Sequence, residues 1–564
     1  MKAADWIVDY LISKGVADAF GLPGAVVLEF LYAMDRRKAE LTPHLNYHEQ
    51  GASFAACGYA QATGKLGIAY ATRGPGMTNM LTAMADAYYD SVPVMFFTAH
   101  SSEEIERKMR VKNNQEINTV AIAASVTKYA ARIDELNTLE KEIKTAYIAA
   151  TSGRKGPVFL DISSSVLRQD FSPSSFLMLD ESSKKDTGKV ADAIAAKIKT
   201  AKRPLFLIGN GVRQSGTAAL VQQLAEDAGL PVLSSRTTHD IMPNSPMYFG
   251  FIGSHGTRYS NFILSKADLI LALGNRMAFP EKSKSFRPVV EKAFTIRVDI
   301  DKNEFSRNVP NSIGYEADLG ELLPELLKRN LSYSNRPQWL KICNELKNPL
   351  EQWDKTPIVN LLMQIIRATD TKNTLVCDVG NHSFMVTNAC VYSGASNRTL
   401  YSGSFGTLGS ALPKAIGAYY GTKRPVLCFV GDQGFQMNMQ ELQHIAQNRL
   451  PITVVVINNF SSAMIREREE KQFGPHFVHT TLESGYGVPD LQAMANAYRM
   501  RYCCVEDPGS FQNLQFPQVE GPCLIELRTD ETECLCPSLP QGNACQDLIP
   551  AIPGELYHRL EELK

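Results

Sequence analysis

Short apolar runs alternate with stretches of helical period along most of the chain. One stretch shows the pattern most fully: GDQGFQMNMQELQHIAQNRLPITVVVINN, from Gly431 to Asn459. Val426 to Val430 is a continuous apolar run of strand length, and Gly431 and Gly434 bracket Asp432 in a predicted turn. Met439, Leu442, Ile445 and Ala446 then recur at helical spacing, Pro451 closes the connection, and Ile452 to Ile457 is a second, β-branched run. The pattern predicts one βαβ unit. Its right-handed crossover lays the two strands parallel, with both carboxyl-terminal ends on the sheet edge where α/β folds bind ligands. The same alternation fills residues 1–168, 188–330 and 357–545, which predicts an α/β protein of three doubly wound parallel-sheet domains followed by a C-terminal tail over 546–564. Residues 165–190, rich in Ser, Asp and Lys, read as a linker, and 331–356 as a polar helical connector.

Composition narrows the classes. A chain of 564 residues suits three or four domains, and a formal charge of −1 with intermingled acids and bases favours neither nucleic acid nor a membrane surface. The start, MKAADWIVDYLISKG, has the pattern of an amphipathic helix rather than a signal peptide, and no apolar run reaches the roughly 18 residues of a spanning helix. The expectation is a cytoplasmic protein. The eleven Cys are scattered, and the close pairs Cys503/Cys504 and Cys534/Cys536 lack a second pair at zinc-ligand spacing.

Candidate chemistry then gathers at strand ends. Asp432 and Asn459 close the two strands of the βαβ unit, where a carboxylate and an amide oxygen above a helix N-terminus suit Mg²⁺ carrying a diphosphate. The bare G-D-x-G equally fits an ordinary turn in which Asp caps the helix. Glu49 opens the helix of NYHEQGASFAACGYAQATGK, where the helix dipole alone would favour a carboxylate. Phe20-Gly21-Leu22-Pro23-Gly24 and Gly74-Pro75-Gly76 are strand-to-loop breaks, and Gly209-Asn210-Gly211 is a tight turn with only part of a dinucleotide fingerprint.

Together, GD-x-G…NN, the Glu before a small-residue helix ending A-T-G-K, and ADAYYDSVPVMFFTA resemble the thiamine diphosphate enzymes, and the resemblance runs over nearly the whole chain. It implies a pyrimidine-binding, a central and a diphosphate-binding domain in that order. It assigns Asp432, Asn459 and the carbonyl of Ser461 to Mg²⁺, with Gln433 where most members have Gly or Ala. It assigns Glu49 to the aminopyrimidine ring of thiamine diphosphate, where a carboxylate sharing a proton with the ring nitrogen helps the cofactor lose its thiazolium proton. It further places Pro23, Gly24, Gly74, Asn381, His382, Gly431, Gly434, Ser462 and Met464 against the cofactor. Leu408 would prop it into a bent shape, and the carbonyl of Gly406 would hold its amine.

Asn114-Gln115-Glu116 and Ser125-Val126-Thr127-Lys128 resemble the acetolactate synthase branch, which implies that Gln115 serves catalysis and Lys128 faces the substrate cleft. Standard acetolactate synthases carry Trp near position 468. Here Arg468 follows Ile465 and Arg466, and S-x-I-R…F-G…S-G-x-x-x-P-D with Cys536-Pro537-Ser538-Leu539-Pro540-Gln541-Gly542 looks more like synthase-like proteins of surface-polysaccharide and branched-sugar pathways. The resemblance implies a carboligase that decarboxylates a 2-keto acid, pyruvate first, and passes the acyl unit to a carbonyl acceptor. It also implies a homodimer or dimer of dimers with active sites between subunits. The central loops, with Gly253-Ser254-His255-Gly256, Gly274-Asn275-Arg276 and Asp318, resemble the FAD-holding loops of synthases and oxidases. Met277-Ala278-Phe279-Pro280 replaces the acidic and aromatic residues found there, so FAD is possible but not expected. The alternatives are a 2-keto acid decarboxylase or C–C lyase without ligation, which lacks here the paired His of that branch, and a flavin-dependent oxidase of pyruvate type.

Overall fold

The computed structural model describes residues 1–101, 114–173, 186–279, 283–507 and 521–563. Residues 174–185 of the expected linker, and Pro280, lie outside the described residues. The strands, in chain order, are β1 (Asp18–Gly21), β2 (Thr42–Leu45), β3 (Gly67–Ala71), β4 (Val94–His100), β5 (Tyr129–Ile133) and β6 (Val158–Ser163) in the first sheet. The central sheet holds β7 (Pro204–Ile208), β8 (Val232–Ser234), β9 (Tyr248–Phe251), β10 (Leu269–Leu273), β11 (Phe294–Asp299) and β12 (Ser312–Glu316). The third holds β13 (Thr374–Cys377), β14 (Thr399–Leu400), β15 (Val426–Gly431), β16 (Ile452–Asn458), β17 (Arg501–Val505) and β18 (Cys523–Arg528).

Three parallel six-stranded sheets result, each flanked by helices. The first runs β2-β1-β3-β4-β6-β5 and the third β14-β13-β15-β16-β18-β17, which is the same order when each domain's strands are counted from one. The central sheet runs β12-β11-β10-β7-β8-β9, the arrangement of dinucleotide-binding folds. Strand order reverses at β1/β3, β7/β10 and β13/β15, and ligands bind beyond the carboxyl ends at such points. Between β15 and β16 the predicted βαβ unit is present: Gly431 pairs with Ile457, so Asp432 and Asn459 leave neighbouring strand ends. The intervening helix is broken in two, Asp432–Met437 and a turn and helix over 439–447, with Asn438 at the break.

The inner strands β3, β4, β6, β7, β10, β13 and β16 bury completely because helices cover both faces of each sheet. The helix Glu49–Thr63 packs on the helix Ala411–Thr422 of the third domain, and the small-residue stripe of the first explains how closely. A Cβ at Gly58 would strike the Lys414 backbone, and one at Gly417 the carbonyl of Ala55. In that seam Lys414 Nζ meets Asp86 Oδ2 at 2.7 Å, both side chains fully buried, while Ser402 and Thr407 donate to the other carboxylate oxygen. The connector is less solvated than expected: the helix Arg336–Leu350 buries Trp339, Ile342 and Leu346, and Trp339 Nε1 donates to Pro204 O at 2.9 Å. Among the described residues no helix is long and apolar enough to cross a membrane. Removing one partner of the Lys414–Asp86 pair leaves a buried, uncompensated charge. Asp86→Ala should therefore lower stability by about 3–5 kcal/mol, read from chemical denaturation.

Candidate active site

The carboxyl ends of β13, β15 and β16 frame a cavity of about 200 Å³. It is lined by Asn381, His382, Leu408, Gly431, Asp432, Gln433, Gly434, Asn459, Ser461, Ser462, Met464 and Ile465, all expected from the sequence, and by Ile358, Val379, Gly380, Met385, Ile457, Ala463, Thr529 and Glu533, which were not. Every one of them comes from residue 358 or beyond.

Asp432 starts the helix after β15 and is 3 % exposed. Its Oδ1 accepts from the hydroxyl of Tyr486 and the N–H of Gln433, both at 2.8 Å. The N–H groups of Phe460 and Ser461 also face the carboxylate. Burial pushes its pKa up to about 6 against the pull of these donors. Its Oδ2 is buried with no hydrogen-bond partner among the described residues. A buried carboxylate oxygen left bare carries a desolvation cost that a cation removes.

The neighbouring amides separate cleanly. Asn458 is committed to the fold, donating to Glu526 at 2.7 Å and accepting from Phe460 N at 3.2 Å. Asn459 lines the cavity instead. Phe460 has φ +54°, a turn that carries the chain from Asn459 to the Ser461 carbonyl. Carboxylate, amide and carbonyl oxygens form a hard donor set that fits Mg²⁺. The described residues hold no cluster of three or more His, Cys, Asp or Glu able to bind a metal. A cation at Asp432 would thus need oxygens from a bound diphosphate and from water to fill its shell.

Around this point the loops are tied down. Asp378, at the end of β13, accepts from Gly409 N at 2.8 Å and Ser410 N at 3.1 Å, which fixes the loop carrying Leu408. Its burial raises the pKa to about 6. A Cβ at Gly434 would collide with that carboxylate, so the second Gly of the G-D-x-G turn is required by close approach. His382 is buried and pushed down to about 4, chiefly by burial and then by the Arg236 guanidinium, and is neutral. Its Nε2 has no partner among the described residues. Asn381 donates to Glu467 at 2.7 Å, and Gln433, the departure from the usual small residue, accepts from Ser462 at 3.0 Å. Gly406 is exposed with φ +74° and does not line the cavity.

The first-domain candidates lie elsewhere. Glu49 is the first residue of its helix, 8 % exposed, and accepts from Asn79 Nδ2 at 2.9 Å. Pro23 is exposed, Gly24 packs on Thr72, and Gly74, at φ +59°, abuts the carbonyl of Gln115, itself exposed at φ +62°. Lys128 caps a helix: its amine donates to Ala149 O and, at 3.1 Å, to Ser152 O, so this chain already employs it in structure. Arg466 is buried 3.8 Å from Glu470 and does not line the cavity, whereas Arg468 is exposed one turn beyond Met464. Asp378, Tyr486 and Glu533 escaped the sequence reading. Asp378 begins the D-V-G-N-H loop and Tyr486 lies in S-G-Y-G-V-P-D, but nothing local marks either as a partner of Leu408's loop or of Asp432.

A second cavity, about 980 Å³, opens at the β7/β10 switch point between Gly209, Gly211, Gly274, Arg276, Asp299 and Phe279. Its volume is that of a large cofactor pocket. Met277 is fully buried in the core and absent from its lining. The segment before the tail lies on this domain: Leu539 N donates to Ser254 O at 2.8 Å, and His255 meets Pro537 O at 3.2 Å.

Family models match all three domains: "Thiamine pyrophosphate enzyme, N-terminal TPP binding domain" over 1–122, the central domain of the same enzymes over 191–326, and their C-terminal TPP binding domain over 378–527. The chain is 31% identical to an acetolactate synthase large subunit of Lactococcus lactis, over 96% of this chain and 95% of that protein. It is 28% identical to the isozyme 2 large subunit of Escherichia coli, over 97% and 99%. It is also 28% identical to a probable acetolactate synthase large subunit of Methanococcus aeolicus, over 100% and 98%.

If Asp432 is the cation ligand, Asp432→Ala should weaken Mg²⁺-dependent retention of thiamine diphosphate by at least about tenfold in calorimetric titration. Asn458→Ala should act mainly on stability. Unaltered affinity in Asp432→Ala would refute the assignment.

Proposed function

The chain belongs to the thiamine pyrophosphate enzymes, in their acetolactate synthase-like group, and from that premise we propose a Mg²⁺-dependent carboligase that decarboxylates a 2-keto acid, pyruvate first, and adds the remaining acyl unit to a carbonyl acceptor. The unpartnered, buried Oδ2 of Asp432, beside Asn459 at paired strand ends, carries this reading.

When bound, thiamine diphosphate supplies an electron sink for C–C cleavage and formation. The protein's part is to bind, orient and exclude water. Asp432, Asn459 and the Ser461 carbonyl hold Mg²⁺ and, through it, the diphosphate. Leu408, held by Asp378 through Gly409, offers an apolar prop, and Met464 and Ile465 keep the entrance apolar. Neutral His382 offers a polar ring that brings no charge. Glu49, buried at its helix N-terminus and steadied by Asn79, shares a proton with the aminopyrimidine nitrogen. Because the cavity is lined from the third domain alone while Glu49 belongs to the first, the complete site forms between chains of a homodimer or dimer of dimers. A cytoplasmic location accompanies this reading.

A second reading, a flavin-dependent oxidase, draws support from the 980 Å³ central cavity. Visible flavin absorption in the purified protein would favour it, and a spectrum without those bands favours the carboligase.

Glu49→Gln should lower turnover by at least about two orders of magnitude while leaving cofactor affinity nearly intact, measured by product formation from labelled pyruvate and by titration. Sedimentation should show the active species as a dimer or larger, and an active monomer would overturn the shared site.

A further inference from the structure

The helix that follows the metal turn does something the reaction scheme leaves unassigned. Asn438, Glu441, His444 and Gln447 recur every third residue; Asn438 reaches Gln50, just past Glu49, and the other three reach the segment that leads into it. Asn438 Nδ2 donates to Gln50 Oε1 at 3.2 Å and to Gly409 O at 2.8 Å, so it touches both the Glu49 helix and the Leu408 loop. Glu441 accepts from Asn46 Nδ2 at 2.8 Å and from Tyr47 N at 3.1 Å. His444 Nδ1 meets Leu45 O at 2.5 Å, and Tyr47 Oη donates to Gln447 at 2.9 Å.

Glu441 is the centre of this row. It is fully buried, and a carboxylate removed from water persists only where several donors face it. Those donors, Asn46, Tyr47 N–H and His48 N–H, are the residues immediately before Glu49. Space has been made for it: a Cβ on Gly51, two residues past Glu49, would collide with the Glu441 carboxylate. Glu441 does not line the cavity of about 200 Å³. Burial pushes its pKa up to about 7 against these donors, the mark of a charge held at a cost.

We propose that Glu441 is a positioning residue for Glu49: from the helix of the metal-binding unit it fixes the Asn46–His48 backbone and so sets the register of the carboxylate that this chain presents. The inference rests on the reading of Glu49 given above. It means that the element holding the metal also aims the activating group of its own chain, and that Leu408's loop shares the same tie through Asn438. A carboxylate displaced by as little as about 1 Å loses about a hundredfold in effectiveness, so a residue with no contact to the reacting atoms can govern turnover.

The test uses Glu441→Gln and a compensating pair. Glutamine keeps one carbonyl oxygen for Tyr47 N–H, but its amide group opposes the amide of Asn46. Turnover (kcat) of the full-length enzyme should fall on the order of tenfold to a hundredfold, with KM for pyruvate and affinity for thiamine diphosphate and Mg²⁺ within about twofold. In the protein without cofactor, amide hydrogen exchange at Tyr47 and His48 should quicken. Adding Asn46→Asp restores a donor and acceptor pair of reversed polarity, and should recover most of kcat and of the protection. Wild-type kcat in a folded Glu441→Gln variant overturns the inference, as does a double variant no better than the single one. If Glu441→Gln fails to fold, Gln447→Ala, at the solvent end of the row, replaces it, with kcat and exchange at Tyr47 as readouts; unchanged values for both overturn the inference. Should Glu49→Gln itself keep full turnover, the assignment of Glu49 fails, which is a different outcome from a dead Glu49→Gln beside a fully active Glu441→Gln.

Discussion

A carboxylate buried at a strand end with one oxygen unpaired is the constraint on which this molecule's chemistry depends. The parallel pairing of β15 with β16 brings Asp432 beside Asn459, and Tyr486 and Gln433 donate to Oδ1 while Oδ2 has no partner among the described residues. Such an arrangement is expensive in an apolar setting and becomes favourable when a divalent cation and a diphosphate arrive. Asp378 repeats the theme one strand away, its buried charge spent on holding Leu408's loop. The third domain is thus a rigid cradle for one end of a cofactor. Glu49, which we propose serves the other end, is held by the same chain at the start of a helix in the first domain.

Much of this was legible from periodicity. The 426–459 unit appears as expected, because apolar strand, polar-capped turn and helical spacing agree there at every level. Even so, the helix expected as one piece breaks at Asn438, whose side chain is drawn to Gly409 and Gln50. The connector 331–356 hid a buried face, since Trp339 and Leu346 are spaced for packing among residues that otherwise read as polar. Long-range partners were illegible: Tyr486 reaching Asp432, Glu441 reaching Asn46, and Lys128 turned to the end of a helix depend on three-dimensional proximity that no local pattern records. Spacing identified which residues could do chemistry, and tertiary contact decided which oxygens were free to do it.

The identical strand order of the first and third sheets gives this division of labour a structural basis. Each presents loops beyond the carboxyl ends of its strands, one set offering Glu49 after β2 and Gly74 after β3, the other Leu408 after β14 and Asp432 after β15. The close seam between the helices Glu49–Thr63 and Ala411–Thr422, sealed by Lys414 and Asp86, holds the two domains of one chain together, and Ser402 and Thr407 of the Leu408 loop are tied into it through Asp86. The surface beyond Met464 differs in character. Exposed Arg468, one turn beyond the apolar Met464 and Ile465, offers a guanidinium suited to a carboxylate or phosphate.

We propose that Glu49 of one chain serves the Asp432 site of another. Mixing inactive Glu49→Gln and Asp432→Ala chains under conditions of subunit exchange measures it directly. A mixed dimer then contains one site with neither lesion, so pyruvate-dependent activity should return on mixing. If both residues served one site within a single chain, every site in the mixture would carry a lesion, and an exchanged mixture that stays inactive would contradict the account.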